Sequence, residues 1–529
     1  MRYLSLQIRQ INKLIRVGIS LFMLLEINLT SAGQKTDDQQ HSQRAVNQAG
    51  ERKRTRGYAA ELTLPPDVAA NEKLSLILGC PTDTSVVLNI LSAENIDGYC
   101  EYGIASGNYM RKTEVFEITA GKPVNVVLDQ LPPDKQCFYR LRYRKHGGNN
   151  FAEGTEHSFH TQRAPGSTFI FEIQGDSHPE RPHQFNSELY ARTLRGAAAD
   201  HPDFYITIGD DFSVDTLRTA NADTVDRRYF IQRPFLGLLA HSAPLFLVNG
   251  NHEQAAACNL DGTPNNVAVW AQNSRNRLFP QPGVDGFYTG DSLAVKFIGL
   301  LRDYYAWTWG DALFIVIDPY WHSSQPVDNV FGGEKKNRDM WAVTLGNEQY
   351  KWLKQTLESS KSKYKFVFAH HVLGTGRGGI ENAGLFEWGG NNKSGKREFE
   401  QKRPGWELPV HQLMVKNGVT IFFQGHDHIF ARQQLDGIVY QTLAEPADPN
   451  YALYNKEAYR SGDILPNSGR VRITVAPEKV TVEYIRSWLP GDENELHKNG
   501  EVACSYSISP VSNCTLTQTS NMSQRLTDK

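Results

Sequence analysis

The chain has 529 residues, 40% of them hydrophobic and 11% aromatic, so it can bury a sizeable core, and its length favours two domains. The formal net charge is -2, from 56 basic and 58 acidic residues, and this balance gives no indication of binding to nucleic acid or to a membrane surface. None of the six cysteines lies in a Cys-x-x-Cys pair, which argues against a cysteine-based zinc site.

The start of the chain has the pattern of a secretory signal peptide. Four basic residues lie within the first 16 positions, an uncharged run extends from Val17 to Leu25, and small residues follow at 30–32. The uncharged run is shorter than the ~20 residues that cross a bilayer as a helix. We therefore predict a signal peptide at 1–32 and a secreted protein, periplasmic or extracellular, with no membrane span after cleavage. An uncleaved anchor is the alternative.

Two segments of different composition follow the signal. Residues 33–60 are rich in Gln, Asp, Arg and Ser and poor in large apolar side chains, which predicts a polar, solvated linker. Residues 61–163 contain short runs of alternating character, separated by turn residues at intervals typical of a β-sandwich. We therefore predict a small all-β sandwich at 61–163.

This sandwich segment resembles a fibronectin type III-like module. The run at 131–140 is similar to that family's approach to its penultimate strand, with matches at Leu131, Pro133, Tyr139 and Arg140. Cys137 stands where the family has a corner tyrosine, so the corner hydrogen bond is lost or replaced by a disulfide. An unrelated β-sandwich is the alternative.

The cysteines predict disulfide bonds. Their number is even, and they lie behind a predicted signal peptide, which places the protein in an oxidising compartment. Cys504 and Cys514 are close enough in sequence to close a local loop, while the other pairings stay open.

From 168 to 487, apolar strand-like runs alternate with helical stretches. The stretch from Glu348 to Leu357 places its apolar residues on one helical face, directly before a strand-like run at 364–369. This rhythm is typical of a layered α/β fold. We interpret 210–240 and 374–395 as loops or insertions near the ligand-bearing edge and 258–277 as a long loop. We interpret 470–474 and 479–485 as a closing hairpin, and 488–529 as a polar C-terminal tail.

Six apolar runs in this region each end in a metal-binding or acidic residue. Because ligands bind beyond the carboxyl ends of strands in open α/β sheets, we expect these side chains to converge on one edge. The six stretches are Asp176-Ser177-His178, Asp210-Asp211, Asn251-His252-Glu253, His370-His371, His426-Asp427-His428 and, as the weakest, Asp318.

These residue types suit a metal centre. Carboxylate, imidazole and amide oxygen ligands fit iron, manganese or zinc, and two such ions ~3.5–4 Å apart can clamp a phosphoryl group during displacement. Alternation at a strand end puts the first and third residues of each Asp-x-His or His-x-His pair on one face. Each motif alone has a structural explanation as a turn or helix cap, but their joint occurrence, each after a strand, favours a metal site.

The order of these motifs resembles that of the calcineurin-like metallophosphoesterase superfamily. With a β-sandwich in front, the chain is most similar to a purple acid phosphatase relative, a likeness that also covers 305–310 and 349–357. The resemblance implies an α/β, four-layer fold, in which two mixed β-sheets are flanked by helices, preceded by a small all-β sandwich.

The resemblance also implies a role for each motif residue. Two divalent or trivalent metal ions are implied, of iron, manganese or zinc. The first ion would be held by Asp176, His178 and His428, the second by Asn251, His370 and His426, and both by Asp210 as the bridge.

Three neighbouring residues have less direct assignments. His252 would touch the phosphate and protonate the leaving oxygen, and His371 would face the substrate or support the ligands. Asp211 would substitute for Asp210 or merely neighbour it, and Asp210 is preferred because it directly follows Gly209.

One position departs from the purple acid phosphatases. The family's tyrosine, three residues after the bridging aspartate, is replaced by Ser213. The first metal therefore lacks a phenolate ligand, which predicts a protein without the purple colour and with weaker selection for ferric iron.

The sequence thus predicts a secreted metal-dependent hydrolase that cleaves phosphate esters through a hydroxide held by two metals. We expect a phosphomonoesterase similar to acid phosphatases that acts on a small phosphorylated substrate. The sequence leaves open whether the protein forms a homo-oligomer. A phosphodiesterase for nucleotides or other diesters is one alternative, because the long loops could shape a larger pocket. Its candidate stacking residues are Tyr320, Phe386, Trp388 and Trp406, although for any one of them the role of an ordinary loop anchor is favoured. A catalytically retired surface binding protein is an alternative of another class.

Overall fold

The computed structural model describes residues 62–328, 339–373 and 376–510. The predicted signal peptide and linker at 1–60, residues 511–529 of the predicted tail, and Cys514 lie outside the described residues. Within the described ranges, none of the helices combines the length and the apolar composition that a bilayer crossing requires.

The region predicted as an all-β sandwich contains two antiparallel sheets after a short helix, α1 (Pro66–Lys73). One sheet has the order β1-β2-β6, and the other has β4-β3-β7-β8 with β5 also paired to β3. The strands are β1 (Leu74–Gly79), β2 (Val86–Ser92), β3 (Ile96–Gly103), β4 (Arg111–Lys112), β5 (Phe116–Ile118), β6 (Val124–Leu128), β7 (Gln136–Lys145) and β8 (Ala152–His160). Whether this sandwich is a fibronectin type III module stays a prediction.

Two mixed sheets form the centre of the remaining chain, which confirms the predicted fold class. The six-stranded sheet has the order β11-β10-β9-β22-β23-β24. Its strands are β9 (Phe169–Gln174), β10 (Phe204–Thr207), β11 (Leu245–Leu247), β22 (Gly469–Ala476), β23 (Lys479–Arg486) and β24 (Val502–Ile508).

The second large sheet has eight strands in the order β12-β15-β16-β17-β18-β20-β19-β21, and β13 (Ala294–Val295) pairs separately with β14 (Gly299–Leu300). The eight strands are β12 (Thr289–Gly290), β15 (Tyr305–Trp309), β16 (Ala312–Val316), β17 (Tyr364–Phe368), β18 (Ile421–Gln424), β19 (Phe430–Leu435), β20 (Ile438–Thr442) and β21 (Asp463–Leu465).

Helices cover the outer faces of both sheets. The helices after α1 are α2 (Ser187–Ala199), α3 (Ala222–Ala240), α4 (Val267–Leu278), α5 (Gly346–Ser359), α6 (Phe386–Gly389), α7 (Phe399–Lys402) and α8 (Val410–Lys416). Asn186, Asn221 and Asn266 begin α2, α3 and α4, and each side chain accepts an N–H from the first turn. This capping satisfies donors that have no partner within the helix.

Alternation along the buried strands produces the layers. Phe366 and Phe368 point into the core between the two sheets, whereas Val367 packs on the other side with Leu353 of α5 and Leu413 of α8. A second outer core holds α2, α3 and α4 against the six-stranded sheet. The four layers are therefore helix, sheet, sheet and helix, as predicted.

Several loop predictions need correction. The segments at 210–240 and 258–277 contain most of α3 and α4, both with buried apolar faces, and 374–395 contains α6. The predicted polar tail contributes β24, because alternate residues such as Tyr506 pack towards the sheet core while their neighbours face solvent. The described cysteines are free thiols, so the predicted disulfides are not found among them.

A buried arginine joins the sandwich to the α/β region. Arg233 of α3 is 1% exposed; its Nε donates to Ser75 Oγ at 2.5 Å, and one Nη donates to the Asn89 carbonyl at 3.0 Å. A further guanidinium N–H donates to the Leu278 carbonyl. Burial lowers the pKa of Arg233 to about 9, which reflects the absence of a carboxylate partner among these contacts.

We expect Arg233→Ala to lower the free energy of unfolding by about 3 kcal/mol, because it leaves buried carbonyl groups without donors. Tyr139→Phe, which removes a single hydrogen bond from β7 to the His241 carbonyl, should cost about 1 kcal/mol. Urea denaturation measures both values. Exposed Lys351→Ala serves as the control, and equal stability of Arg233→Ala and this control would contradict the anchoring role.

Candidate metal centre

The predicted ligand residues follow strand ends and converge where the two sheets meet. Asp176 follows β9, Asp210 follows β10, and Asn251 follows β11 in the six-stranded sheet. His370 follows β17, and His426 and His428 follow β18, in the eight-stranded sheet. The predicted edge is therefore correct, but two sheets contribute to it.

Three of these residues form a first group. His428 Nε2 lies 3.1 Å from Asp176 Oδ2, and His178 Nε2 lies 3.3 Å from His428 Nε2. His178 Nε2 is also 3.8 Å from Asp176 Oδ2. All three residues are buried, so this group is held away from bulk solvent.

A second group lies beside the first and shares Asp210 with it. His370 Nε2 lies 3.0 Å from Asp210 Oδ2 and 3.3 Å from His426 Nδ1. The same Asp210 oxygen is 3.9 Å from His178 Nε2 in the first group. Asp210 Oδ2 thus stands between the two groups, where a bridging ligand is expected.

Hydrogen bonds on the far sides of the imidazoles aim their other nitrogens inward. His370 Nδ1 donates to the Ile208 carbonyl at 2.9 Å, and His428 Nδ1 forms an ion-pair contact with Glu445 Oε1 at 2.7 Å. His178 Nδ1 lies 3.1 Å from both Ser213 Oγ and Glu180 Oε1. Such partners orient each ring, so that its Nε2 faces the centre.

The donor atoms of the centre lack other partners. The Nε2 atoms of His178 and His428 face each other at 3.3 Å within the first group. Asp210 Oδ2 and both amide atoms of Asn251 are buried without a hydrogen-bond partner. Buried polar atoms left unpaired are costly, so this arrangement fits metal ions as the missing partners.

The electrostatics of the centre also favour cations. Burial disfavours the charged form of His370, but the carboxylates of Asp210 and Asp176 outweigh it and raise the pKa of His370 to about 10. Burial likewise opposes ionisation of both carboxyls, yet nearby imidazoles, above all His370, lower the pKa of Asp176 and of Asp210. The two buried carboxylates therefore require positive charge beside them.

The backbone is strained where it presents the ligands. His178, Asp210, His426 and His428 all have positive φ angles between 43° and 67°, a region that non-glycine residues rarely adopt. A glycine directly precedes His426, and a Cβ on Gly425 would lie 2.4 Å from Asp176 Oδ1. Close approach of neighbouring ligand loops thus explains this glycine in the motif.

His252 occupies the predicted position beside the metal ligands. Its Nδ1 donates to Asp215 Oδ1 at 2.8 Å, and its Nε2 lies 3.7 Å from Asp210 Oδ2. Arg181 Nη2 lies 3.0 Å from the same Nε2. Burial opposes a charge on His252, but Asp215 and Asp210 outweigh it and raise its pKa.

Sequence reasoning missed several residues that support this arrangement. Glu253 is buried and accepts backbone N–H groups of Asp211, Phe212 and Gly250 at 2.8–3.1 Å, which ties the Asp210 loop to the Asn251 loop. Its place in the Gly-Asn-His-Glu stretch was visible in the sequence. Glu445, Asp215 and Arg181 carried no comparable signal, because each lies outside the ligand motifs.

The ambiguous residues take distinct places. Asp211 points away from the centre and accepts from Ser177 Oγ and Gln174 Nε2, so it neighbours Asp210 rather than replacing it. His371 is buried, with its ring centroid 4.8 Å from that of His426. Asp318 accepts from Asn249 Nδ2 at 2.7 Å, which confirms a strand-end residue near the site.

Three of the four candidate stacking aromatics lie in hydrophobic packing instead. Trp388 is fully buried and donates to the Tyr440 hydroxyl, Trp406 stacks on Tyr350 at 3.8 Å, and Phe386 packs edge-on against Trp341. Only Tyr320 approaches the centre, with its ring 6.5 Å from that of His371.

Comparisons with known proteins agree with this geometry. Residues 173–430 match the family model of the calcineurin-like phosphoesterases. The chain is similar to the structure of purple acid phosphatase PPD1 from yellow lupin (Lupinus luteus) seeds, with 17% identity, a TM-score of 0.54, and coverage of 83% of this chain and 74% of that one. No curated protein sequence matches the chain.

A second structural likeness is to PhoD, with 15% identity, a TM-score of 0.57, and coverage of 85% of this chain and 91% of that one. At such low identity, both likenesses show the fold alone. The matched family model includes the centre from Asp176 to His428. The chain therefore carries a calcineurin-like phosphoesterase domain at 173–430, which supports its assignment as a phosphoric ester hydrolase.

Proposed function

We propose that this protein is a secreted phosphomonoesterase with a dinuclear metal centre. The observation that carries the proposal is the pair of buried ligand groups that share Asp210 Oδ2, which lies 3.0 Å from His370 Nε2 and 3.9 Å from His178 Nε2. The two ligand groups lie close together and have few other hydrogen-bond partners. This arrangement suits two ions and a small anionic substrate.

Asp176, His178 and His428 would hold the first ion, and Asn251, His370 and His426 the second, with Asp210 shared. Iron, manganese and zinc all accept this mixture of carboxylate, imidazole and amide ligands. When bound, the two ions would supply a nucleophile derived from water and neutralise charge on the phosphoryl group.

The chain's own residues would then position the ester and move the proton. Arg181 reaches His252 from a half-buried position and is suited to bind a phosphate oxygen. His252 Nε2 faces the centre, while the Asp215 carboxylate holds its Nδ1 proton. This orientation suits His252 to give a proton from Nε2 to the leaving oxygen.

The monoester is favoured over a diester by what surrounds the centre. A monoester carries more negative charge on its phosphoryl group, which suits two cations with Arg181 beside them. A nucleotide diester would gain from stacking aromatics, but Trp388, Trp406 and Phe386 pack elsewhere. His371, beside His426, would face the substrate or support that ligand.

Secretion rests on the N-terminal sequence pattern alone. N-terminal sequencing of the exported protein should give a first residue near position 33, and a retained Met1 would contradict a cleaved signal.

The proposal predicts that Asn251→Ala loses one metal ion per centre and at least 10³-fold in kcat with 4-nitrophenyl phosphate. The variant removes one ligand of the second ion while leaving the first group intact. Mass spectrometry of metal content and steady-state kinetics measure the two effects. Exposed Asn273→Ala on α4 is the matched control, and equal turnover and metal content in the two variants would overturn the dinuclear centre.

We expect Asp215→Asn to lower kcat by about 10–100-fold with little change in KM or in metal content. His252 would lose the carboxylate that orients its ring, and supporting residues of this kind contribute on that scale. Asp223→Asn, at an exposed position in the first turn of α3, is the control. A large rise in KM with unchanged kcat would instead assign this pair to substrate binding.

We expect kcat/KM for 4-nitrophenyl phosphate to exceed that for bis(4-nitrophenyl) phosphate by at least 100-fold. Arg181→Gln should reduce the monoester value more than the diester value, because the guanidinium meets the extra charge of the monoester. Comparable turnover of both esters, or equal losses in the variant, would favour the phosphodiesterase alternative.

A further inference from the structure

A second group of buried ligand side chains lies outside the centre described above. Asp291 directly follows β12, Asp303 lies two residues before β15, and His322 lies in the turn after β16. β12 and β15 are paired, and the Asp291 N–H donates to the Tyr304 carbonyl, so the two aspartates flank one short antiparallel ladder.

Each member of this group has one atom without a hydrogen-bond partner. Asp291 and Asp303 are 3% and 0% exposed, and their Oδ2 atoms are unpaired, as is His322 Nε2. The opposite oxygens are occupied: Asp291 Oδ1 accepts the Leu293 N–H at 2.8 Å, and Asp303 Oδ1 accepts the Tyr304 N–H at 2.9 Å. The unpaired atoms are therefore fixed in direction as well as buried.

The three side chains converge. One ligand atom from each residue lies within 4.8 Å of the other two. His322 Nε2 forms an ion-pair contact with Asp303 Oδ2 at 3.4 Å, outside hydrogen-bond geometry. Two ligand atoms bound tetrahedrally to one zinc ion at about 2.1 Å are about 3.4 Å apart, so this spacing suits a shared ion.

We propose that Asp291, Asp303 and His322 bind a third metal ion, a divalent transition metal of the zinc class, separate from the dinuclear centre. Two carboxylate oxygens and one imidazole nitrogen are borderline donors that zinc accepts readily. Calcium prefers six to eight oxygen ligands and magnesium keeps several waters, so neither suits three convergent side chains. The partly exposed side of His322 gives the ion a route from solvent.

The surrounding structure holds the imidazole and links the site to the catalytic loops. A Cβ built on Gly346 would lie 3.2 Å from His322 Cβ, so the start of α5 presses against the ring. Asp318, in the segment that leads to His322, accepts from Asn249 Nδ2 and from the Tyr320 N–H. An ion here would fasten the β12–β15 ladder to the segment that supports the Asn251 loop.

The experiment is a metal count on the full chain. Protein loaded with zinc chloride and freed of excess metal should contain three zinc ions per chain, and Asp303→Asn should contain two. Asp285→Asn, an exposed turn aspartate six residues before Asp291, is the matched control and should keep three. A count for Asp303→Asn equal to that of the wild type would overturn the third site.

Three further measurements keep the test independent of folding and of the dinuclear centre. If Asp303→Asn does not fold, His322→Gln at the partly exposed end should show the same loss of one ion. Asn251→Ala should lose an ion of the dinuclear centre while keeping the third, and the double variant should lose both. Zinc anomalous diffraction should show a peak between Asp291, Asp303 and His322, and its absence from crystals with zinc in the dinuclear centre would overturn the site.

Discussion

The burial of two carboxylates among four imidazoles is the constraint on which this structure depends. Asp176 and Asp210 are fully buried, and the effective cost of removing an ion from water is several kcal/mol. Positive charge must therefore sit beside them, and the framework must hold the ligand residues close together where the two sheets meet. The aromatic core between the two sheets, with Phe171 and Phe314 centroids 5.1 Å apart, supplies that rigidity.

Residues around the centre hold the ligand residues in place through hydrogen bonds to their backbones and rings. Glu253 ties the Asp210 and Asn251 loops through their backbones, and the His426 N–H donates to Asp176 across the two sheets. The Ile208 carbonyl and Glu445 orient two imidazoles. The positive φ angles at four ligand residues are tolerable because these contacts over-determine the backbone.

The sequence predicted the strand-end motifs and the layered α/β class because these follow from local patterns. A buried strand has the pattern of a short apolar run. When several such runs are each followed by polar residues, turns and helix caps alone do not explain the whole set. The sequence did not reveal the capped helices α3 and α4, since their apolar residues are interrupted by charged ones such as Arg228 and Arg233 that are buried in the fold. It also missed β24, because strands at sheet edges bury only alternate side chains.

Contacts between distant segments were beyond any local pattern. Asp215, Arg181 and Glu445 carry no motif, and their roles depend on which loops the two sheets bring together. The sequence could not decide the role of the candidate stacking aromatics for the same reason. A tryptophan in a glycine-rich stretch gives the same sequence pattern whether it lines a pocket or fills a core. Trp388 fills the core.

Ser213 replaces the tyrosine of the resembled family and contacts a neighbouring imidazole instead. Its position follows the bridging aspartate by three residues, where a phenolate would reach the first metal in the resembled family. The shorter hydroxyl lies 3.1 Å from His178 Nδ1, and Glu180 Oε1 lies at the same distance from that nitrogen. The side chain therefore acts on the imidazole and not as an anionic ligand, which leaves the first group with two imidazoles and one carboxylate. A set without phenolate carries less negative charge, so it stabilises a trivalent ion less strongly relative to a divalent one.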